Sequence, residues 1–455
     1  MAARSGGRKF QSNPSPDMKA APENTPSASP ELFAIAEDSL PGAGLGSYSL
    51  ADDIRLVFAH GKGSRLWDVD GRKYIDYVGG AGALILGHSH PAVVRAMCAQ
   101  VERGAHMFGS LNDVAVRLAD RLVRDIPCAE KIAYATTGSE ATAYAMRLAR
   151  AHTGRDKILK FEGAYHGNHD YAIVSTFPRE TGHYPEGVAD SHGQPRATVE
   201  TMLVSPYNDL ETLARIVSEQ GRDIAAIIAE GVQRIIPASP EFLRGVRRIC
   251  DEHDILFILD EVVTGFRLGY GGAQEWYDVK PDLATYGKVV GGGGPLSCIS
   301  GPAEIIDLAD PRRKGRQGFT YFNGTLHGNP VAAAATLAML DELSQPDTYR
   351  RLNEYAAELC RESQKVLDRY GIGAIACNTG SLWQILFTDR VPRNQSDMLA
   401  GDQAAMRRLD SELMKQGQYV LPGVRRFVSC VHDGEDLEDS LRGLDAACRA
   451  FSKTG

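Results

Sequence analysis

The stretch AAIIAEGVQRIIPASPEFLRGVRRICDEHDILFILDEVVTGFR (225–267) contains the pattern that decides the fold. Two short apolar runs, AAIIAE (225–230) and ILFILD (255–260), flank SPEFLRGVRRICDEHD (239–254), whose apolar residues recur at helical spacing. Runs that are apolar at nearly every position predict strands buried on both faces, which is typical of parallel sheets covered by helices. This stretch therefore predicts a strand–helix–strand unit of an α/β protein.

The same alternation continues on both sides of this unit. KIAYAT (131–136) and KILKF (157–161) predict strands on the N-terminal side, with a helix over 139–154 between them. On the C-terminal side, LATYG (283–287) predicts a further strand. We therefore expect an α/β fold with a mostly parallel sheet that carries helices on both faces.

The chain of 455 residues is longer than one compact core usually requires, so more than one domain is expected. Residues 1–40 are rich in Pro, Ser, Ala and Asn and lack a continuous apolar segment, which predicts a disordered N-terminal extension. Residues 91–340 carry the alternating strands and helices and form the predicted large domain. Residues 341–455 predict a smaller α+β C-terminal domain, and residues 41–90 are expected to pack with it.

Charge and cysteine usage narrow the class of protein. The formal net charge of −8 gives no electrostatic reason to expect nucleic acid or an anionic membrane as a partner. The eight cysteines form no CxxC pair and no framework spacing, which is typical of a reducing compartment, so we expect a cytoplasmic protein. No apolar run reaches the length of a membrane span.

Three groups of polar residues follow predicted strands, at the sheet edge where open α/β sheets bind ligands. In YATTGSEATAYAMRLA (134–149), Gly138 turns the chain and Ser139 begins a helix, which offers backbone N–H groups and a hydroxyl to a phosphate. Asp260 ends a buried strand and needs a cationic or hydrogen-bonding partner. Lys288 precedes four glycines, and a lysine among apolar walls is easily made neutral and nucleophilic. Taken singly, the three groups could equally be a helix start, a turn cap and a surface lysine.

In their order and spacing, the three groups resemble the class III aminotransferases, which have the pyridoxal-phosphate (PLP) fold type I. The resemblance is closest to the glutamate-1-semialdehyde 2,1-aminomutase branch, and it covers most of residues 41–455. It implies a large-domain sheet of the seven-stranded type and pyridoxal 5′-phosphate as cofactor. The motifs that carry it are LGHSHP (86–91), TGSEA (137–141), YHG (165–167), DEVVTGFR (260–267), GKVVGGGGP (287–295) and GTLHGNP (324–330).

The resemblance also implies roles for individual residues. Lys288 would carry PLP as a Schiff base and move a proton between the substrate Cα and the cofactor, while Asp260 would pair with the pyridinium nitrogen. Val262 and Tyr165 would pack against the two faces of the ring. The remaining implied contacts are Gly138 and Ser139 to the phosphate, His166 to the cofactor, Glu230 in a supporting role and Thr325 to the phosphate of the neighbouring subunit. This pattern implies a homodimer with active sites at the interface.

The substrate side departs from the aminomutase pattern. GGAGALILG (79–87) lacks the tryptophan that close aminomutases carry before LGHxHP, and LPGVRRFVS (421–429) has Arg425 and Arg426 in place of a glutamate. Either arginine could clamp a substrate carboxylate, and two solvated loop arginines are the alternative. The departures favour transfer of an amino group from a small donor to a carbonyl acceptor, through a pyridoxamine intermediate. An intramolecular aminomutase or a PLP-dependent epimerase is the second hypothesis.

Other chemistries find less support in the sequence. A nucleotide-binding dehydrogenase would need GxGxxG after a strand, and none of the glycine-rich segments has that spacing. The histidine pairs His88/His90 and His166/His169 have no third ligand at a supporting spacing, so no metal is expected. The presence of Lys288 together with Asp260 and the phosphate turn argues against a catalytically inactive binding protein.

Overall fold

A computed structural model describes residues 29–48, 50, 51, 53, 54 and 56–453 of the chain. Residues 1–28 of the predicted N-terminal extension lie outside this part. The prediction of disorder is wrong for the end of the extension, because Ser29–Ser39 forms helix α1. The start of this helix is anchored by the Ser29 hydroxyl, which donates to Asp70 Oδ2 at 2.6 Å.

The strands of the described residues fall into four sheets. The strands are β1 (Phe58–Lys62), β2 (Arg65–Asp68), β3 (Lys73–Asp76), β4 (Lys131–Ala135), β5 (Lys157–Phe161), β6 (Met202–Ser205), β7 (Ile224–Glu230), β8 (Val232–Gln233), β9 (Ile236–Pro237), β10 (Leu256–Asp260), β11 (Leu283–Tyr286), β12 (Ser297–Gly301), β13 (Ile375–Thr379), β14 (Leu382–Leu386), β15 (Gln418–Tyr419) and β16 (Arg426–Phe427).

The further helices lie between these strands and after the last of them. They are α2 (Pro91–Arg103), α3 (Asp113–Asp125), α4 (Gly138–Thr153), α5 (Arg196–Glu200), α6 (Leu210–Gln220), α7 (Phe242–Glu252), α8 (Gly272–Tyr277), α9 (Ala303–Ile306), α10 (Pro330–Leu343), α11 (Thr348–Arg369), α12 (Gln395–Ala400), α13 (Gln403–Lys415) and α14 (Gly434–Phe451). Among the residues that the structure describes, no helix combines the length and the apolar character needed to cross a membrane.

The largest sheet has seven strands in the order β4-β12-β11-β10-β7-β5-β6. All neighbouring pairs are parallel except those of β12, which runs antiparallel to both β11 and β4. Successive residues of β10 point to opposite faces, so Ile258 joins a core with α4, while Leu259 joins a core with α7. The prediction of a mostly parallel sheet with helices on both faces is therefore confirmed.

Helix α4 shows how the sequence sets the position of one site element. The Thr137 side chain accepts a hydrogen bond from the Glu140 N–H, which fixes the start of the helix directly after β4. The helix ends at Gly154, whose φ of 69° is the left-handed conformation that favours glycine. The N-terminal turn of α4 is thereby held at the carboxyl edge of the large sheet.

The smaller sheets join distant parts of the chain. Strand β15 pairs in parallel with β3, and β16 pairs with β14. The buried Arg267 guanidinium donates to the carbonyl oxygens of Gly82 and Val428 and to the Ser381 hydroxyl. The segments before and after the large sheet therefore meet around one buried cation.

Candidate active site

A cavity of about 150 Å³ opens where β4, β7, β10 and β11 end. This volume is about ten times the roughly 10–15 Å³ that one water molecule needs, so the cavity can take a small organic ligand. It contains Lys288, Asp260 and the predicted cofactor contacts other than Thr325. The lining residues are Gly138, Ser139, Thr142, Tyr165, His166, Gly167, Glu230, Asp260, Val262, Val263 and Lys288.

Asp260 is a buried carboxylate whose hydrogen bonds keep it ionised. Its Oδ1 accepts from the Val262 N–H and the Thr285 hydroxyl, each at 3.0 Å, and its Oδ2 lies 2.7 Å from His166 Nδ1. Burial alone would raise the pKa of Asp260, but the hydrogen bond and charge of His166 outweigh it, and the pKa is lowered. Since an ionised carboxylate can only accept, His166 Nδ1 must carry the proton. The cavity thus has an anion at its floor.

Lys288 follows β11, lines the same cavity and is half-buried. Burial, and next the positive charge of Arg425, lower the pKa of Lys288 to about 8, against the opposing pull of Asp260 and Glu230. Its φ of 50° is unusual for a residue other than glycine, and such backbone strain clusters at functional sites. A large fraction of this amine is therefore neutral and nucleophilic near pH 8.

The N-terminus of α4 approaches the cavity through close backbone packing. A Cβ on Gly138 would lie 2.7 Å from Val262 Cγ1, and a Cβ on Gly167 would lie 2.6 Å from Ser139 Cα. The Ser139 hydroxyl accepts from the Asn168 N–H at 3.1 Å. Gly138 and Ser139 line the cavity, so the positive end of the helix dipole lies beside it, as a phosphate site requires.

The remaining predicted residues lie outside the cavity lining. Thr325 is exposed in the loop before α10, where this chain alone gives it no contact with the cavity. Arg425 is half-buried beside the cavity, and its Nη2 lies 3.9 Å from Glu230 Oε1. Glu230 Oε2 in turn accepts from the Tyr165 N–H at 3.1 Å. Arg425 therefore borders the site through Glu230.

Arg426 does not face the site, and its prediction as a substrate residue is wrong. Its side chain is 1% exposed, forms an ion pair with Asp410 and lies over the Trp383 ring. The reason is the alternation of side chains along an extended chain, which sends neighbouring residues to opposite sides. Of the two adjacent arginines, only Arg425 therefore lies on the side of the cavity.

Replacing Arg426 with leucine is expected to lower the free energy of unfolding by about 3–5 kcal/mol, because the Asp410 carboxylate would stay buried without its partner. Denaturant unfolding of the variant measures the loss. The double variant with Asp410→Leu should recover much of the stability, since no buried charge is left unpaired. A single variant as stable as the native chain would contradict this assignment.

Three lining residues, Thr142, Gly167 and Val263, were missed in the sequence, although signals for the first two exist. The Thr142 hydroxyl donates to the His166 carbonyl oxygen at 2.5 Å, and it lies one helical turn beyond Ser139 on α4. Gly167 belongs to the YHG motif, and its φ of 113° together with its approach to Ser139 explains the glycine. Helical spacing from Ser139 and the identity of the motif glycine could have indicated both.

The chemistry of these side chains fits PLP. The start of α4 offers amide groups to a phosphate, Asp260 offers an ionised carboxylate to a protonated ring nitrogen, and Lys288 offers an amine to an aldehyde. Within the residues that the structure describes, no group of three or more His, Cys, Asp or Glu side chains is placed to hold a metal ion.

Comparison with known proteins agrees with this geometry. Residues 48–422 match the family described as aminotransferase class-III. A glutamate-1-semialdehyde 2,1-aminomutase from Desulforamulus reducens is 37% identical over 433 residues, which cover 93% of this chain and 98% of the relative. The solved structure of an omega-transaminase from Sphaerobacter thermophilus gives a TM-score of 0.85 at 29% identity, over 94% of this chain and 98% of that chain. A solved transaminase with PLP bound gives the same TM-score at 26% identity, with the same coverage.

These similarities extend over nearly the whole chain in both sequence and fold. The resemblance that the motifs indicated is therefore confirmed, and PLP is the cofactor. The chain belongs to the class III aminotransferases, a family of PLP-dependent enzymes.

Proposed function

We propose that the protein transfers an amino group from a donor amine to a separate carbonyl acceptor in two half-reactions. The observation that carries this proposal is the meeting of Lys288, Asp260 and the start of α4 around one cavity. Lys288 is proposed as the residue that bonds covalently to PLP, and Asp260 as the partner of its ring nitrogen.

PLP supplies an electron sink that stabilises negative charge at the substrate Cα. Lys288, with a pKa of about 8, can take the proton from Cα and return it at the neighbouring carbon. Asp260 stays ionised because His166 holds its Oδ2, so it can keep a ring nitrogen protonated. Val262 and Tyr165 are proposed to enclose the ring from its two faces.

The same proposal assigns the phosphate to Gly138 and Ser139, with Thr325 reaching the phosphate of a neighbouring subunit. The exposure of Thr325 in this chain is compatible with a contact across a dimer interface. We therefore propose a homodimer whose sites lie at the interface. All eight cysteines are free, which supports a cytoplasmic protein.

Arg425 is proposed to bind a substrate carboxylate, because its guanidinium borders the cavity and lies near Glu230. The second candidate function is an intramolecular aminomutase, favoured by the name of the relative from Desulforamulus reducens. Arg425 occupies the segment in which close aminomutases carry a glutamate, and this departure favours transfer between two molecules. A PLP-dependent epimerase uses the same cofactor geometry.

The test is to incubate the PLP-loaded enzyme with a panel of donor amines and no acceptor. Transamination is expected to convert one equivalent of cofactor to pyridoxamine phosphate and to release one equivalent of keto or aldehyde product. Absorbance of the cofactor and chromatography of the product measure both. Formation of an isomer or epimer in many turnovers without acceptor would instead establish the second candidate.

Covalent capture of PLP by the cofactor-free protein is expected to rise with pH through a midpoint near 8, because only the neutral amine of Lys288 reacts. An ordinary lysine, with a pKa of 10.5, would still be charged there. The initial rate is measured by trapping the bond with borohydride at a series of pH values and counting labelled Lys288 by mass spectrometry. A midpoint near 10.5 would show that Lys288 lacks the proposed environment.

A further inference from the structure

The hairpin of β8 and β9 turns at a residue whose backbone is strained. Val232 pairs with Pro237 and Gln233 with Ile236, so the turn consists of Arg234 and Ile235. Arg234 has a φ of 59°. The first position of a two-residue hairpin turn with positive φ ordinarily takes glycine. An arginine at this position implies that its side chain makes contacts that offset the strain.

The side chain of Arg234 joins the two ends of a segment that carries site residues. Its Nε donates to the Gly163 carbonyl oxygen at 3.0 Å, and its Nη2 donates to the Thr176 carbonyl oxygen at 3.1 Å. The guanidinium carbon lies 5.5 Å from the centre of the Tyr165 ring and 4.8 Å from that of Phe177. The guanidinium thus bridges the two ends of the segment 163–177, which includes Tyr165 and His166.

The backbone of Arg234 contacts a second residue beside the site, Arg425. Its carbonyl oxygen accepts from Arg425 Nη1 at 2.5 Å, and the Val232 carbonyl oxygen accepts from the same atom at 3.2 Å. Arg425 therefore takes its position from the hairpin turn. A rigid turn transmits any shift of Arg234 both to Tyr165 and to Arg425.

We infer that Arg234 is a positioning residue that fixes the distance between the Tyr165 ring and the Arg425 guanidinium. The inference rests on the proposed function, which gives Tyr165 the cofactor ring and Arg425 the substrate carboxylate. Its strained backbone and its two-sided contacts set the distance between cofactor and carboxylate, and thereby the length of substrate that fits.

The test compares Arg234→Gly with Arg234→Ala in the full-length, PLP-loaded protein. Both variants remove the guanidinium, but only glycine adopts the positive φ without strain. Effects common to both report on the side-chain contacts, and differences between them report on the strain. Arg408→Ala is the matched control. The guanidinium carbon of Arg408 also lies over an aromatic ring, 3.9 Å from the centre of Phe451, but this contact is away from the site.

We expect the dissociation constant for PLP to rise about tenfold in both variants, because the contact of a cation with the Tyr165 face is lost. The visible circular dichroism of bound PLP should change, since Tyr165 is no longer fixed. The KM for a carboxylated donor should rise more than that for an amine without a carboxylate, and kcat/KM for the former should fall by up to about 100-fold. The Arg408→Ala control should match the native enzyme in all three measurements.

A merely structural role would lower the melting temperature and leave the other measurements unchanged. Variants that bind PLP with native affinity and native dichroism, and that keep the native ratio of KM values, would overturn the inference alone. A native protein that binds no PLP would overturn the proposed function and the inference with it. Measuring PLP binding by the native protein therefore distinguishes failure of the inference from failure of the proposed function.

Discussion

Lys288→Ala is expected to lower kcat by at least about 1000-fold, because the proposed function gives this one residue both the covalent bond to the cofactor and the acid–base role at Cα. PLP should still bind without a covalent bond, since the phosphate and ring-nitrogen contacts are proposed for other residues of the cavity. Single-turnover absorbance with a reactive donor measures the chemical step, and equilibrium dialysis measures the retained cofactor.

The matched control is Lys280→Ala, which removes an exposed lysine from the segment before β11. It is expected to retain native activity. Borohydride should fix labelled cofactor to the native protein and to the control, but not to Lys288→Ala. A Lys288→Ala enzyme with more than a few per cent of native turnover would rule out the proposed role of this lysine.

Asp260→Asn is the second large effect that we expect, a loss of about 100- to 1000-fold in kcat. The amide is nearly isosteric with the carboxylate, so the fold should survive, but it cannot stabilise a protonated ring nitrogen by charge. The hydrogen bond from His166 Nδ1 can persist, because the amide oxygen still accepts. Steady-state kinetics together with thermal melting separates lost charge from lost structure.

Asp209→Asn is a suitable control, because Asp209 caps helix α6 and asparagine caps helices equally well. Both its activity and its melting temperature should be native. If Asp260→Asn retained native kcat, the carboxylate would have no part in the chemistry. If it lost activity only in proportion to unfolding, its role would be structural.

The sequence predicted the large sheet well because its strands are short apolar runs separated by amphipathic helices. Such runs indicate burial on both faces regardless of what lies far away in the chain. Helix α1 was not predicted, because the residue that accepts the hydrogen bond from Ser29 at its start is Asp70. The two residues are 41 positions apart, and no local pattern indicates their contact. The domain boundaries at residues 90 and 340 stay predictions.

The site was predictable where a motif ends a strand, because strand ends meet at one edge of the sheet. It was not predictable where the role of a residue depends on the direction in which its side chain points. Arg425 and Arg426 look alike in sequence, yet only the structure separates the one near Glu230 from the one paired with Asp410. The sequence KILKF also does not indicate that the Lys160 side chain is buried. Its Nζ donates hydrogen bonds to the carbonyl oxygens of Ala172 and Val174.

The partners of Arg267 determine when the segments before and after the large sheet can pack together during synthesis. Gly82 is made 185 residues before this arginine, but Ser381 and Val428 follow it by 114 and 161 residues. Until Val428 has left the ribosome, the guanidinium lacks one of its three acceptors and cannot be buried without a penalty. The packing of these segments in a nascent chain is therefore completed only after Val428 has emerged, and chains truncated before this residue should be captured by chaperones or degraded.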